Sequence, residues 1–76
     1  MTKIFEIWHY GFVVGYIFSY ERALEYVKNE FIKENNQEAI FKVNEALENY
    51  KNTRETANFC AGLYRVIERR EMGCQL

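Results

Sequence analysis

The chain has 76 residues, of which 49% are hydrophobic and 17% aromatic, and its formal net charge is −1. This length predicts one small domain over residues 1–76, and so many apolar side chains argue against intrinsic disorder. A charge near zero gives no general attraction to nucleic acid or to an anionic membrane. No run of about 18 apolar residues exists, so we expect no membrane span.

The first two predicted elements are strands, because residues 3–9 and 12–18 are rich in β-branched and aromatic residues. A two-residue turn at Tyr10-Gly11 would join them and pair Phe5 with Tyr16 and, one step along, Ile7 with Val14. In this register the core face would comprise Phe5, Ile7, Phe12, Val14, Tyr16 and Phe18. The opposite face would carry Ile4, Trp8, Val13 and Ile17 around Glu6 and Gly15. That face is too apolar for solvent, so we expect a helix, a second copy of the chain or a partner to cover it.

Two helices are predicted next. Ser19 is a good N-cap, and the apolar stripe that follows it is Tyr20, Ala23, Leu24, Val27 and Phe31. Asn35-Asn36 is the only plausible break, and Asn36 can cap a second helix over residues 37–51. The stripe of this helix is Ala39, Ile40, Val43, Ala46, Leu47 and Tyr50. Residues 39–43 alone would also suit a strand, but the longer pattern favours helix.

A third helix is predicted from Asn52, which with Glu55 resembles a capping box, to Gly73. Gly62 weakens this helix, and residues 63–69 would alternatively form a strand. The predicted fold is therefore α+β: an N-terminal β-hairpin followed by three helices (ββααα), or with the last element partly a third strand. A loose tail is expected from about residue 72.

No motif in the chain carries a catalytic mechanism. The sequence has no Asp, a single Ser and a single His, so a serine-type triad is excluded, and nothing in the spacing brings His9 to Cys60. Neither metal-ligand spacing nor a Gly-rich phosphate loop is present. We expect no enzyme activity, no metal site and no cofactor. Cys60 is expected to be a small buried hydrophobe.

The location of the protein is predicted from its cysteines and its first residues. Cys60 and Cys74 occur in a chain whose start does not resemble a secretion signal. Two such cysteines are typical of free thiols rather than of a disulfide framework. We therefore expect a cytoplasmic protein.

The excess of apolar residues beyond one core predicts a protein interface. We expect a small non-enzymatic module that occupies a surface of a target protein, of the kind that phages encode as inhibitors or counter-defence factors. The expected contact residues are Trp8, Tyr10, Phe12, Val13 and Phe41, with Arg65 and Arg69 at a polar rim. A homodimer is a further possibility for the same surface.

The alternative function is a small nucleic-acid-binding regulator. It would use the arginines of the third predicted helix, which are Arg54, Arg65, Arg69 and Arg70. Glu55, Glu68 and Glu71 largely neutralise that helix, and the predicted hairpin lacks basic residues beside its aromatics. These two observations favour the protein-binding hypothesis.

Overall fold

The computed structural model describes the backbone of residues 3–70 and the side chains of residues 3–69. This part of the chain forms an α+β fold in the order β-β-α-α-β-β. Its elements are β1 (Lys3–His9), β2 (Phe12–Ile17), α1 (Tyr20–Glu34), α2 (Gln37–Thr53), β3 (Phe59–Ala61) and β4 (Tyr64–Arg70). The strands make one antiparallel sheet in the order β2-β1-β4-β3. The predicted tail from residue 72 lies outside the described residues.

The predicted third helix is wrong, because residues 59–70 form a second hairpin. Gly62 makes its turn with a φ of +56°, in the left-handed region that favours glycine. Beyond the turn, Tyr64 and Val66 are buried while Arg65 is exposed, so these residues alternate with the period of a strand. The decisive interaction is tertiary, since β4 pairs along the whole length of β1 and makes it a central strand. Periodicity within one segment does not reveal such a partner.

The first hairpin turns at Tyr10-Gly11, as predicted, but its register differs from the expected one. A β-bulge interrupts the pairing between Ile7 and Trp8, so that Ile7 faces Gly15 and Phe5 faces Ile17. One extra residue in a strand moves the side chains that follow to the other face of the sheet. Both predicted pairs, Ile7 with Val14 and Phe5 with Tyr16, are therefore wrong, whereas the pairs next to the turn keep the register of a two-residue turn. Four residues expected in the core are instead exposed: Phe12, Val14, Tyr16 and Phe18.

Both remaining helices begin where the sequence predicts. The side chains of Ser19 and Asn36 each accept a hydrogen bond at 3.2 Å from the backbone N–H three residues later. α2 continues two residues past its expected end, to Thr53, and the strand interpretation of residues 39–43 is wrong. Neither helix of the described chain is long and apolar enough to cross a membrane.

The core lies between the two helices and one face of the sheet. It comprises Phe5, Ile7, Tyr20, Ala23, Leu24, Val27, Phe31, Ala39, Val43, Phe59, Ala61, Tyr64 and Val66. Phe31 is fully buried, and the ring of Tyr64 meets it edge-on with centroids 5.4 Å apart. Because both helices pack on the same side, no helix of residues 3–70 covers the other face of the sheet.

Candidate binding surfaces

The uncovered side of the sheet is the first candidate surface, and we call it the open face. Strand alternation and register place nine residues there: Ile4, Glu6, Trp8, Val13, Tyr16, Cys60, Arg65, Ile67 and Arg69. Trp8 lies between Val13 of β2 and Arg65 of β4. The open face therefore combines aromatic, aliphatic and basic side chains on a rigid sheet.

Glu6 is buried although it belongs to the open face, with an exposed fraction of only 3%. Its Oε1 accepts a hydrogen bond from Nε1 of Trp8 at 2.9 Å, and its Oε2 lies 2.8 Å from Nε of Arg69. Each carboxylate oxygen thus has a partner, as buried polar atoms require. The Arg69 side chain remains 64% exposed. Glu6 therefore fixes the indole N–H of Trp8 and the Nε of Arg69, while most of the Arg69 side chain stays in solvent.

A groove of about 410 Å³ lies at the end of the open face, beside the two hairpin turns. It is lined by Trp8, Tyr10, Gly11, Cys60, Gly62, Leu63 and Arg65. Arg65 is exposed and pairs with no acid among the described side chains. Cys60 is exposed too, so the prediction that it is a buried hydrophobe is wrong.

The second candidate surface is the outer side of β2 with the residues that flank it, and we call it the edge surface. It consists of Tyr10, Phe12, Val14 and Phe18, each more than half exposed. Within the described sheet β2 pairs with β1 alone, so the backbone groups on its outer side have no strand partner. β2 contains neither a charged residue nor a proline. Natural edge strands usually carry such residues, which prevent unwanted pairing.

The seven predicted contact residues do not form one surface. The open face unites four of them: Trp8, Val13, Arg65 and Arg69. Tyr10 and Phe12 belong to the adjacent edge surface, and Tyr10 also lines the groove. Phe41 is exposed on α2, in the helical layer on the other side of the sheet. Its predicted grouping with Trp8 is therefore wrong.

The predicted arginine stripe is also divided. Arg65 and Arg69 share the open face, four residues apart on β4. Arg54 is the C-cap that follows α2, and its guanidinium lies 5.3 Å from the centre of the Tyr50 ring. The side chain of Arg70 lies outside the described part. A helical stripe through Arg54, Arg65 and Arg69 does not exist, because these residues belong to different layers.

His9 and Cys60 are separated by the sheet. The ring of His9 stacks on Tyr64, which belongs to the helix-covered core, with centroids 4.0 Å apart and planes 4° apart. Cys60 lies on the open face opposite Arg65. Among residues 3–69, no group of three His, Cys, Asp or Glu side chains is arranged to hold a metal ion.

Two buried tyrosines have shifted acidities. Burial, helped by the nearby Glu30 carboxylate, raises the pKa of Tyr64 to about 12. Its Oη lies 3.5 Å from Oε1 of Glu30. Burial also raises the pKa of Tyr20, whose hydroxyl donates a hydrogen bond to the carbonyl of Ala57 at 2.7 Å. Both phenols stay protonated near neutral pH and serve the core rather than a binding surface.

Sequence reasoning misplaced Tyr16 and did not predict the role of Glu6 on the open face. Tyr16 is predicted in the core, but a bulge moves it opposite Glu6, and the isolated Gly15 within this strand is a sequence signal of such a bulge. Glu6 did carry a signal, since an acid among apolar residues of a strand needs a partner when it is buried. The partner itself, Arg69, lies 63 positions away and becomes visible only when β4 pairs with β1.

The chain matches no known family model, and neither a curated protein nor a solved structure matches it significantly.

Proposed function

We propose that the protein is a small, non-enzymatic protein-binding module whose edge surface pairs with an extended segment of a target protein. The observation that carries this proposal is an edge strand of six residues without a charge, flanked and lined by exposed apolar side chains. When an extended segment adds a strand to a sheet edge, its main-chain hydrogen bonds give affinity and its alternate side chains give specificity.

The exposed side chains of the edge surface are of the right kind for such binding. Phe12 begins β2 and Phe18 follows its last residue, and the two are 72% and 70% exposed. Exposed apolar residues scattered over a monomer need no explanation, whereas four of them between residues 10 and 18, at one sheet edge, favour an interaction site. Aromatic residues are frequent anchors of binding energy in interfaces. The edge surface offers both anchors and free backbone groups within one short segment.

This mode of binding suits a protein that acts by occupying a surface of its target, as the small inhibitors and counter-defence factors of phages do. Edge pairing needs no cofactor and no chemical step. A cytoplasmic location belongs to the same proposal, because an exposed free thiol such as Cys60 persists in a reducing compartment.

The test compares two exposed phenylalanines that lie on different surfaces. Phe12→Lys places a charge on the edge surface, whereas Phe41→Lys places the same charge on α2 at a residue of similar exposure, 66%. Tagged variants are used to capture proteins from nuclease-treated extract of the source cells. We expect a stoichiometric target that Phe41→Lys retains and Phe12→Lys loses, with both variants unfolding at about the temperature of the unmodified chain.

Hydrogen exchange on the purified complex then locates the contact. Target binding should slow exchange of the amides of β2 and leave those of α2 unchanged, because new main-chain hydrogen bonds form only at the edge. Unchanged exchange at β2, or equal loss of the target in both variants, contradicts edge pairing. A doubled mass of the isolated chain in light scattering, abolished by Val14→Lys, would identify the partner as a second copy.

A further inference from the structure

We propose that the open face binds single-stranded nucleic acid, with bases stacked on Trp8 and Tyr16 and phosphates held at Arg65 and Arg69. This site is separate from the edge surface and does not depend on the function proposed for it. The structure brings these four side chains together on one face, because β4 pairs with β1 and β1 pairs with β2.

The charges of the open face fit a polyanion. Its one carboxylate belongs to Glu6, which is buried and already paired with Arg69. The second acid on the strands is Glu68, which stands opposite Phe5 on the other side of the sheet and accepts a hydrogen bond from the hydroxyl of Thr56. Among residues 3–69, the open face therefore presents two exposed guanidinium side chains and no exposed carboxylate, although the whole chain has a charge of −1.

The remaining negative charge is concentrated in the helical layer. α1 and α2 contain seven glutamates against five lysines and arginines, and both helices lie on the far side of the sheet. Of the acids expected to neutralise the arginines, Glu68 lies on the other side of the sheet from Arg65 and Arg69. Arginine charges that face away from the acidic layer can still attract phosphate groups locally.

The aromatic residues distinguish nucleic acid from other polyanions. Trp8 stands opposite Arg65, while Tyr16 stands on β2 opposite Glu6 and is 61% exposed. Every base has a flat face that stacks on such rings, so stacking tolerates any sequence. The two arginines lie four residues apart on one strand, roughly 13 Å at the rise of a β-strand. Bases at β1 and β2 with phosphates along β4 would use the full width of the face.

Glu6 holds two side chains of the open face in place before a ligand binds. Its carboxylate holds the indole N–H of Trp8 and the Nε of Arg69 at the same time. Side chains that are already fixed lose less conformational entropy when a ligand binds. A buried acid in the middle of a solvent-facing sheet is thereby explained as a positioning residue for one stacking and one phosphate-binding group.

The only tryptophan of the chain is Trp8, so its fluorescence reports on this site alone. The probe is a thymidine oligonucleotide of about twelve nucleotides, in the range that small single-strand binding domains cover. We expect saturable quenching at about 50 mM salt. Two phosphate contacts predict an affinity that falls roughly sevenfold between about 50 and 200 mM salt.

Variants separate the two parts of the site. Arg65→Gln should weaken binding and reduce the salt slope by about 0.7, because one phosphate contact is lost. Tyr16→Leu should weaken binding without changing the slope. Lys42→Gln removes a charge from exposed α2 and should change neither quantity. Arg65 is the better variant than Arg69, because Arg69→Gln also deprives the buried Glu6 of its partner.

A polyglutamate peptide of similar length tests whether the open face binds an acidic protein segment instead. One outcome is that this peptide quenches the Trp8 fluorescence as strongly as the oligonucleotide does, with no change in the Tyr16→Leu variant. That result would show that the open face binds acidic peptides, and it would overturn the proposal. Absence of saturable quenching by the thymidine oligonucleotide at about 50 mM salt overturns it as well. Strong quenching by the oligonucleotide alone, sensitive to both variants, supports it.

Discussion

Nε of Arg69 lies 2.8 Å from Oε2 of Glu6, and this ion pair joins the two central strands of the sheet. The carboxylate is almost completely buried, while most of the arginine side chain is in solvent, which screens the pair. Arg69→Gln should therefore lower the free energy of unfolding by about 1–2 kcal/mol, as the buried carboxylate loses its charged partner. Urea denaturation measures this change.

Two controls define the origin of that loss. Arg65→Gln removes the neighbouring exposed arginine and should stay within about 0.5 kcal/mol of the unmodified chain. Glu6→Gln combined with Arg69→Gln should be more stable than Arg69→Gln alone, because no buried charge then remains. If Arg69→Gln is as stable as Arg65→Gln, the buried carboxylate does not depend on this partner.

Gly62 and Gly11 form a matched pair of turn glycines. Both have positive φ, so alanine at either position should cost about 1–2 kcal/mol in backbone strain. A Cβ on Gly62 would also lie 3.2 Å from Cε1 of Phe31, whereas one on Gly11 would meet open space. Gly62→Ala should therefore cost about 1 kcal/mol more than Gly11→Ala in urea denaturation. Equal costs would show that the core at Phe31 adjusts freely.

Tyr64 predicts an alkaline loss of stability. Its pKa is about 12 in the folded protein against an ordinary value of 10.0, so between these pH values the folded state keeps a proton that the unfolded state has released. The stabilising contribution is complete below pH 10 and disappears as the pH rises through about 12. Thermal unfolding followed from pH 8 upward should show this fall. Tyr64→Phe should flatten it, and an equally steep fall in that variant would contradict the assignment.

Cys60 should react quickly in the native protein. In a Cys74→Ser background, a maleimide should label the exposed Cys60 thiol under native conditions at nearly the rate seen in urea. Labelling that waits for unfolding would be slower by orders of magnitude, because a buried thiol reacts only after opening. Since Cys60 lines the groove beside Trp8, a bulky label there should also weaken binding of the thymidine oligonucleotide.

Local signals predicted the helices of this fold well. Ser19 and Asn36 cap their helices through bonds to residues three positions later, and the buried residues of α1 are those of its predicted stripe. Such interactions are contained within a few residues, so the sequence displays them directly. The same holds for the turn at Tyr10-Gly11.

Features of the fold that depend on contacts between distant residues were predicted wrongly. The bulge in the first hairpin has only Gly15 as a local marker, and it places Tyr16 on the open face rather than in the expected core. The segment from residue 59 to 70 fits helical and strand periods comparably, and its pairing with β1 decides between them. The arrangement of the open face follows from this outcome, since the pairing of β4 with β1 is what places Arg65 directly opposite Trp8.

The central pairing of the sheet joins Lys3 to Arg70 and continues to His9 and Tyr64, so the two most distant strands of the described chain are direct neighbours. Closing a loop of that length costs entropy before any contact offsets it, and such topologies fold slowly. During synthesis β1 emerges before β4, and one edge of β1 stays unpaired until β4 leaves the ribosome. Until then α1 has only the first hairpin and α2 to pack against, so we expect cooperative folding of the sheet to begin when β4 arrives.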